Sequence, residues 1–277
     1  MITNVVPQRL SVAQLIRSML LFIGSFLFAL CLNSFIFHEA GHAFGGVLFG
    51  CKFERLNINP FGTGGWQDQC PANLTLTGKV VRGMGGQIFG LPLSIAVTLL
   101  LWRKRKPMLL PLLMSAAVIC IGNLFSVLDS ISSYPGFVFD YGLALQVGVP
   151  QWILWSIAIA SLVFGIVFMN LLIPLAGISP TEPFWKLLVI NLSTWPFYMV
   201  VRLMYQSMIG RNITGSISLL LLGVILATLT ALAYKPQYKL LDRLTHSAPV
   251  LPSTDTVWLA IGLGVGLTVL LVVSNPI

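Results

Sequence analysis

The chain has 277 residues, of which 56% are hydrophobic and only 9% charged, and its mean hydropathy is +0.90. Because soluble domains carry about 25% charged residues, this composition excludes a soluble protein and predicts an integral membrane protein. The formal net charge of +8 is distributed over loops between apolar segments. That pattern is typical of membrane topology signals, and it argues against a nucleic-acid-binding surface.

Seven apolar segments are long enough to cross a bilayer, which requires about 20 residues. They comprise residues 18–49, 84–102, 108–128, 152–173, 184–204, 217–233 and 257–273. The first exceeds one bilayer crossing, so we expect it to be tilted or to extend beyond the membrane. The expected fold class is therefore an all-α polytopic membrane protein with about seven transmembrane helices.

The segments between these spans are short and carry local structure of their own. In the polar segment 51–82, Leu56 and Ile58 alternate with polar residues, which predicts a short strand, and Gly62, Gly64 and Gly65 predict a turn. A short helix is expected from Tyr141 to Val147, ended by Gly148 and Pro150.

The four cysteines do not form a CxxC pair, which argues against a cysteine zinc site. Cys31 and Cys120 lie in apolar segments, where cysteine behaves as a small hydrophobic residue. Cys51 and Cys70 lie in one loop. They can form a disulfide if that loop faces an oxidising compartment, or remain two free thiols.

The positive charges favour a cytoplasmic N-terminus, because cytoplasmic loops of membrane proteins are enriched in Lys and Arg. In a topology of seven spans, ten of the 16 Lys and Arg residues then lie on the cytoplasmic side. In either orientation, His38, His42, Asp129 and Asp140 are expected near the same membrane face.

The most informative motif is His38-Glu39-Ala40-Gly41-His42, within the first apolar segment. It contains two of the three histidines of the chain. Positions four apart lie on one face of a helix, so both imidazoles can bind one metal ion. The intervening Glu39 has the position of the general base in zinc hydrolases. An unpaired carboxylate in a membrane span costs several kcal/mol, which favours a functional site here.

A catalytic zinc ion has three protein ligands and one open position, so the motif lacks one ligand. The third histidine, His246, lies in a basic segment that is expected on the opposite side of the membrane. A carboxylate is therefore expected, and Asp129 and Asp140 are the candidates that follow the third span. Asp140 can alternatively cap the following helix, and Asp129 can be an interfacial or capping acid. One of them can also support a ligand histidine.

Four motifs, taken in order, resemble those of the site-2 protease family of intramembrane zinc metalloproteases. The motif of residues 38–42 resembles the family's HExxH. The segment Asn59-Pro60-Phe61-Gly62 with Gly64-Gly65 is similar to its membrane-associated hairpin, and Gly85-Gly86-Gln87-Ile88-Phe89-Gly90 to its small-residue signature. Phe139-Asp140-Tyr141-Gly142 resembles its Asp-Gly motif, with Tyr141 inserted. The resemblance covers about residues 30–150.

The resemblance implies a zinc-dependent endopeptidase that cleaves a transmembrane protein substrate within the lipid bilayer. It implies His38, His42 and Asp140 as ligands of one Zn²⁺ ion, with Asp129 as the alternative third ligand. Glu39 would be the general base. The segment 56–65 would pair with an unwound substrate, and Asn123 would bind its backbone or the developing oxyanion. An interhelical polar contact is an equally reasonable role for Asn123.

On this interpretation residues 1–277 form one membrane domain, with a catalytic core at 18–150 and additional helices at 151–277. Two other classes of protein are compatible with the same residues. In a transporter, His38, Glu39 and Asp140 would form an ion or proton path. In a catalytically inactive scaffold, the same residues would bind a metal without hydrolysis.

Overall fold

The computed structural model describes residues 10–61, 65–104, 106–133, 140–208, 210, 214–245 and 251–274. In these ranges the chain is almost entirely helical, with one small β-hairpin. The α-helices are α1 Val12–Ala29, α2 His38–Val47, α3 Leu76–Gly83, α4 Leu91–Trp102, α5 Leu110–Leu113, α6 Ser115–Ser133, α7 Tyr141–Gln146, α8 Gln151–Leu172, α9 Phe184–Leu192, α10 Trp195–Met208, α11 Thr214–Thr245 and α12 Thr254–Ser274. The strands are β1 Lys52–Asn57 and β2 Gly65–Gln69. π-Helices cover Leu30–Phe37 and Gly86–Gly90, and 3₁₀ turns cover Pro107–Leu109 and Ile173–Ala176.

Five helical segments of the described chain are long and apolar enough to cross a membrane. They are Val12–Val47, Pro107–Ser132, Gln151–Ala176, Ile217–Lys239 and Thr254–Ser274. Two bent helix pairs raise the number to seven if each pair forms one span. The expectation of an all-α polytopic protein agrees with this count at its upper end.

The first long helical segment starts earlier than the hydropathy predicts, because a capping box fixes its start. The Ser11 hydroxyl accepts a hydrogen bond from Gln14 N, and the Gln14 side chain accepts one from Ser11 N. From Val12 the helix continues to Val47, and its turns from Leu30 to Phe37 are π-helical. π-Helical turns are frequent at functional sites, and these directly precede His38.

The second predicted span, 84–102, corresponds to the helical segment Gly86–Trp102, but the sequence missed the helix that precedes it. Residues 76–83 form α3, whose first turn is capped by the Thr75 hydroxyl accepting from Gly78 N. The helix then bends by 57° before the π-helix Gly86–Gly90 and α4. The amphipathic character of α3 explains the error, because its polar residues mark it as a loop on a hydropathy scale.

The predicted strand and turn after the first span form a two-stranded antiparallel hairpin. Asn57 pairs with Gly65, and a bulge lies between Phe53 and Arg55. A disulfide between Cys51 and Cys70 joins the two ends of the hairpin, which settles the alternative left open by the sequence. Ile58 is buried and follows β1 rather than belonging to it. Gly62 and Gly64 lie outside the described residues.

Three other predicted boundaries also change. The third span continues to Ser133, so Asp129 lies inside α6 rather than after it. The fifth span is broken at Ser193 and Thr194 into α9 and α10, with a bend of 40°. The sixth continues as α11 past Ala233 and through Pro236. The third and sixth helices continue past the apolar residues into polar ones, whereas the fifth breaks inside an apolar segment.

Aromatic side chains join the N-terminal and C-terminal halves of the chain. Phe26 of α1 and Phe125 of α6 both contact Trp195 of α10 edge to face, at 5.3 and 4.8 Å between ring centroids. Gly24 of α1 lies so close to α12 that a Cβ there would be 2.5 Å from the Ala260 carbonyl carbon. These contacts bring α6 and α10 to the same side of the helix that carries the histidines.

Candidate metal centre

His38, His42 and Asp140 direct one ligand atom each toward a common point. The Nε2 atoms of the two histidines are 3.1 Å apart. Asp140 Oδ1 is 3.1 Å from His42 Nε2 and 3.5 Å from His38 Nε2. Because His38 and His42 are one turn apart on α2, the helix aligns the imidazoles, and the fold supplies the carboxylate from about 100 residues later.

The spacing of the three atoms fits a zinc ion. Ligand atoms about 2.0–2.1 Å from a tetrahedral ion lie about 3.3 Å apart, close to the three separations given above. Two imidazole nitrogens and one carboxylate oxygen are also a donor set found in catalytic zinc sites, with one position left for water. The residues present therefore suit this metal in number, chemistry and distance.

Burial and charge act in opposite directions on Asp140, which precedes α7. Burial disfavours its charge, but the facing imidazoles hold the pKa of this carboxyl well below its usual range. Asp140 is the only non-glycine residue of the described chain with a positive φ, at 51°. It makes no capping hydrogen bond to α7, and the Ser126 hydroxyl donates to its Oδ2 at 2.8 Å. The carboxylate is thus oriented toward the histidines rather than toward the helix.

Glu39 lies beside this cluster and is buried, with an exposed fraction of 8%. Its Oε2 atom is fully buried and has no hydrogen-bond partner among the described residues. A buried carboxylate oxygen without a donor is costly, so this position indicates a role for Glu39 in binding a further group.

Two groups orient His42. Its Nδ1 lies 2.9 Å from the carbonyl oxygen of Arg82, which favours the tautomer with the proton on Nδ1 and leaves Nε2 free as a ligand. The indole of Trp66, in β2, stacks on the imidazole at 4.2 Å with an interplanar angle of 8°. Arg82 also pairs with Asp68 of β2, at 2.5 and 2.8 Å. The hairpin and α3 therefore jointly orient the His42 imidazole.

Glycines in α2 and at the bend between α3 and α4 allow these two segments to approach each other closely. A Cβ at Gly41 would lie 2.5 Å from the Gly85 carbonyl oxygen. One at Gly86 would lie 2.5 Å from His38 Nδ1. Any larger side chain at position 86 would displace His38. This close approach explains why glycine is required in the Gly85-Gly86 pair.

Asn123 is buried and bonded at both ends of its amide. Its Nδ2 donates to Ser161 Oγ of α8 at 2.7 Å, and its Oδ1 accepts from the Tyr141 hydroxyl at 2.6 Å. It is thus an interhelical contact that anchors the residue following Asp140. Asn123 also lines the cavity described below, and its role toward a substrate stays a prediction.

Asp129 does not join the cluster. Its side chain is exposed near the C-terminal end of α6, and the group of possible metal ligands contains Asp140 instead. His246 and Phe139 lie outside the described residues. A second group, Cys51, Asp68 and Cys70, also brings ligand atoms together, but both of its sulfurs belong to the disulfide.

A cavity of about 990 Å³ opens beside the cluster. One part of its wall comes from the N-terminal half of the chain, and the other part comes from Trp155 of α8 and from α10 and α11. The first part includes His38, Glu39, Gln87, Asn123, Ser126, Asp129 and Asp140. The second includes Trp195, Tyr198, Met199, Arg202, Gln206, Ser218, Leu219 and Leu222.

Sequence reasoning missed the groups that support the ligands. Ser126 and Trp66 have no motif around them, and the Arg82 carbonyl is a backbone atom, so no residue pattern identifies any of the three. The contribution of α10 was also missed. Its polar residues four apart, Arg202 and Gln206, were the available signal for a helix face directed at a polar site.

Comparison with known proteins finds no matching family model, curated protein or solved structure. The resemblance to the site-2 protease family therefore stays a prediction from the motifs.

Proposed function

We propose that this chain is a zinc-dependent intramembrane endopeptidase that cleaves a transmembrane segment of another protein. One observation carries the proposal. Three ligand atoms have the spacing of a tetrahedral zinc site, and two of their residues, His38 and Asp140, line a cavity between apolar helices, next to a buried glutamate oxygen with no hydrogen-bond partner among the described residues. Among the functions considered, metal-assisted hydrolysis uses all four side chains.

His38, His42 and Asp140 would hold the zinc ion. When bound, zinc supplies Lewis acidity, which polarises a carbonyl group and lowers the pKa of a coordinated water. The Arg82 carbonyl and the Ser126 hydroxyl would keep the His42 and Asp140 ligand atoms in position, as outer hydrogen-bond partners do in other metal sites.

Glu39 would act as general base. Its Oε2 has no competing donor among the described residues, so it is available to accept the proton of the attacking water. The same carboxylic acid would then give the proton to the leaving amine nitrogen when the peptide C–N bond breaks.

The substrate must expose a peptide bond, and a helix shields its own backbone. The cavity is large enough for a short extended segment, since ligand sites of about 300–1,000 Å³ accommodate drug-sized molecules. The hairpin offers main-chain groups at the end of the first long helix, where an unwound strand could pair with it. The described part of the predicted pairing segment, 56–61, is partly occupied, because the Tyr198 hydroxyl donates to the Pro60 carbonyl.

The disulfide supports the orientation with a cytoplasmic N-terminus. The hairpin follows Val47 at the opposite end of the first long helix from Val12. Disulfides persist in oxidising compartments and are rare in the cytosol. A non-cytoplasmic hairpin therefore agrees with the distribution of Lys and Arg.

The proposal is tested by separating metal binding from hydrolysis. We expect purified wild type and Glu39→Gln each to contain about one zinc per chain by mass spectrometry, because glutamine leaves the ligands intact. Cells producing the wild type should show new peptide N-termini inside transmembrane segments, and these should be absent with Glu39→Gln. Glu54→Gln, an exposed hairpin variant, is the matched control and should behave as wild type.

A wild type without zinc refutes the proposal. If both proteins contain zinc and neither produces new peptide N-termini in transmembrane segments, the result would instead indicate the inactive scaffold.

A further inference from the structure

One face of α10 lines the same cavity as His38, Glu39 and Asp140. Its residues Trp195, Tyr198, Met199, Arg202 and Gln206 all border the cavity and repeat at intervals of three and four. These intervals correspond to one side of an α-helix. The C-terminal helices, which carry no recognisable motif, thus contribute a wall with a cationic and an amide side chain to the cavity.

Arg202 is the only Lys or Arg among the described residues that border this cavity. Its side chain is hydrogen-bonded to Tyr198, whereas its Nε is buried and makes no hydrogen bond to a described residue. The cavity also contains three acids, Glu39, Asp129 and Asp140. None of the ion pairs found between described residues includes Arg202, so these acids do not neutralise it within 4.0 Å.

An arginine inside a bundle of membrane helices is costly unless it has a function or a partner. The planar guanidinium presents its N–H donors in a fork that matches the two oxygens of a carboxylate. The Nε–H, which has no hydrogen-bond partner among the described residues, is half of such a fork. The chemistry of this position is therefore that of a carboxylate receptor.

The helix that carries Arg202 is held firmly against the hairpin. The Tyr198 hydroxyl donates to the Pro60 carbonyl, and the Phe61 ring packs on Tyr198 and Tyr205 at 6.1 and 5.4 Å between centroids. Arg202 lies between these two tyrosines in the sequence. A peptide bound along the cavity would therefore meet a cation in a fixed position, which is the requirement for selectivity.

We infer that Arg202 is a specificity-determining residue that binds a carboxylate group of the peptide in the cavity. The inference builds on the proposed function, since the bound molecule is taken to be a peptide. Two sources supply this chemistry. One is an Asp or Glu side chain of the unwound substrate, and the other is the C-terminal carboxylate created when the peptide bond is cleaved.

Peptide binding to metal-free protein tests the inference without requiring catalysis. The protein is kept in detergent micelles with EDTA, so that zinc cannot bind the carboxylate. The first probe pair is acetyl-Leu-Ala-Leu-Ala with a free C-terminal carboxylate and the same peptide as its amide. The second pair is amidated acetyl-Leu-Glu-Leu-Ala and acetyl-Leu-Gln-Leu-Ala. Dissociation constants are measured by thermophoresis.

We expect the wild type to bind one carboxylate peptide about tenfold more tightly than its neutral partner, the range of a charge-assisted hydrogen bond. The preferred pair identifies the source of the carboxylate. Arg202→Gln should abolish the preference, Arg202→Lys should reduce it, and Arg17→Gln, an exposed arginine of α1, should retain it. Thermal unfolding of each variant establishes that it is folded. If Arg202→Gln is not folded, Arg202→Lys provides the test.

The inference is overturned if the wild type shows no preference in either pair, including no binding, or if folded Arg202→Gln keeps the preference. Because zinc and cleavage play no part here, a chain that fails the metal and cleavage test can still pass this one. An active protease can equally fail it.

Discussion

Asp140 and Asp129 are both aspartates near the end of the third apolar segment, yet their surroundings differ in kind. Asp140 has a positive φ of 51° with ψ −121°, outside the left-handed helical region, and its carboxylate faces two imidazoles. Asp129 lies on a regular helix with its side chain exposed. Backbone conformation, rather than residue type, separates the two candidates.

This difference predicts opposite results for two equivalent substitutions. Asp140→Asn should lower zinc affinity by at least about tenfold to 100-fold, because even outer partners of metal ligands have effects of this size. Asp129→Asn should leave the affinity unchanged. Competition with a chromogenic chelator in detergent measures both. Equal zinc affinity in Asp140→Asn and wild type would remove Asp140 from the ligand set.

At the level of secondary-structure elements, the site depends on how closely the bend between α3 and α4 approaches α2. The π-helix Gly86–Gly90 packs against the helix that carries the histidines, and Gly86 contacts the His38 ring where a methyl group has no space. A second π-helix, Leu30–Phe37, directly precedes His38, and π-helical turns are frequent at functional sites. Helix packing therefore fixes the distance between His38 and the π-helix Gly86–Gly90.

Two glycine-to-alanine substitutions test this packing. Gly86→Ala should reduce zinc content and lower the unfolding temperature, since the added Cβ would lie 2.5 Å from His38 Nδ1. Gly262→Ala, in α12, meets open space and should be neutral or stabilising by up to about 1 kcal/mol. Zinc analysis and thermal unfolding of both variants provide the comparison. Full zinc occupancy in Gly86→Ala would show that α2 and the π-helix can separate without loss of the site.

At the level of the whole molecule, a buried ion pair ties the start of the chain to its C-terminal half. Glu182 and Lys186 are both buried, and their side chains lie 2.7 Å apart. Glu182 also accepts from Leu10 N, and Lys186 donates to Leu10 O, each at 2.6 Å. Both backbone groups of Leu10, just before α1, are thus hydrogen-bonded to side chains at or just before the start of α9.

Removing one partner of this pair should destabilise the entire protein. Lys186→Met would leave a buried carboxylate without its cation, at a cost of about 3–5 kcal/mol. Lys104→Met, at an exposed position, should change stability by less than about 0.5 kcal/mol. The measurement is thermal unfolding in detergent. An unchanged unfolding temperature in Lys186→Met would mean that the pair contributes no net stability.

Local patterns were sufficient for the class of the protein and for half of the candidate site. Hydropathy identifies the apolar helices, since each must cover about 30 Å of hydrocarbon with apolar side chains. Helical periodicity aligns His38 and His42 within five residues. The hairpin follows from alternation and glycine content over a short window. Each of these properties depends on neighbours in sequence.

Helix ends and breaks were harder to predict from the sequence, because they depend on individual hydrogen bonds. The Ser11 and Thr75 caps begin α1 and α3 at residues that a hydropathy window averages away. The break at Ser193 and Thr194 leaves mean hydropathy unchanged. Backbone bonding and average polarity are separate quantities, and only the second is visible along an apolar chain.

The amino-acid sequence alone determined a helical membrane protein with a histidine pair suited to binding a metal and a glutamate between the two histidines. Tertiary structure decided that Asp140 rather than Asp129 joins that pair, that Cys51 bonds to Cys70, and that α10 brings Arg202 to the same cavity. The physical reason is distance along the chain. Contacts within one helical turn follow from periodicity, whereas contacts between residues about 100 positions apart depend on how whole helices pack.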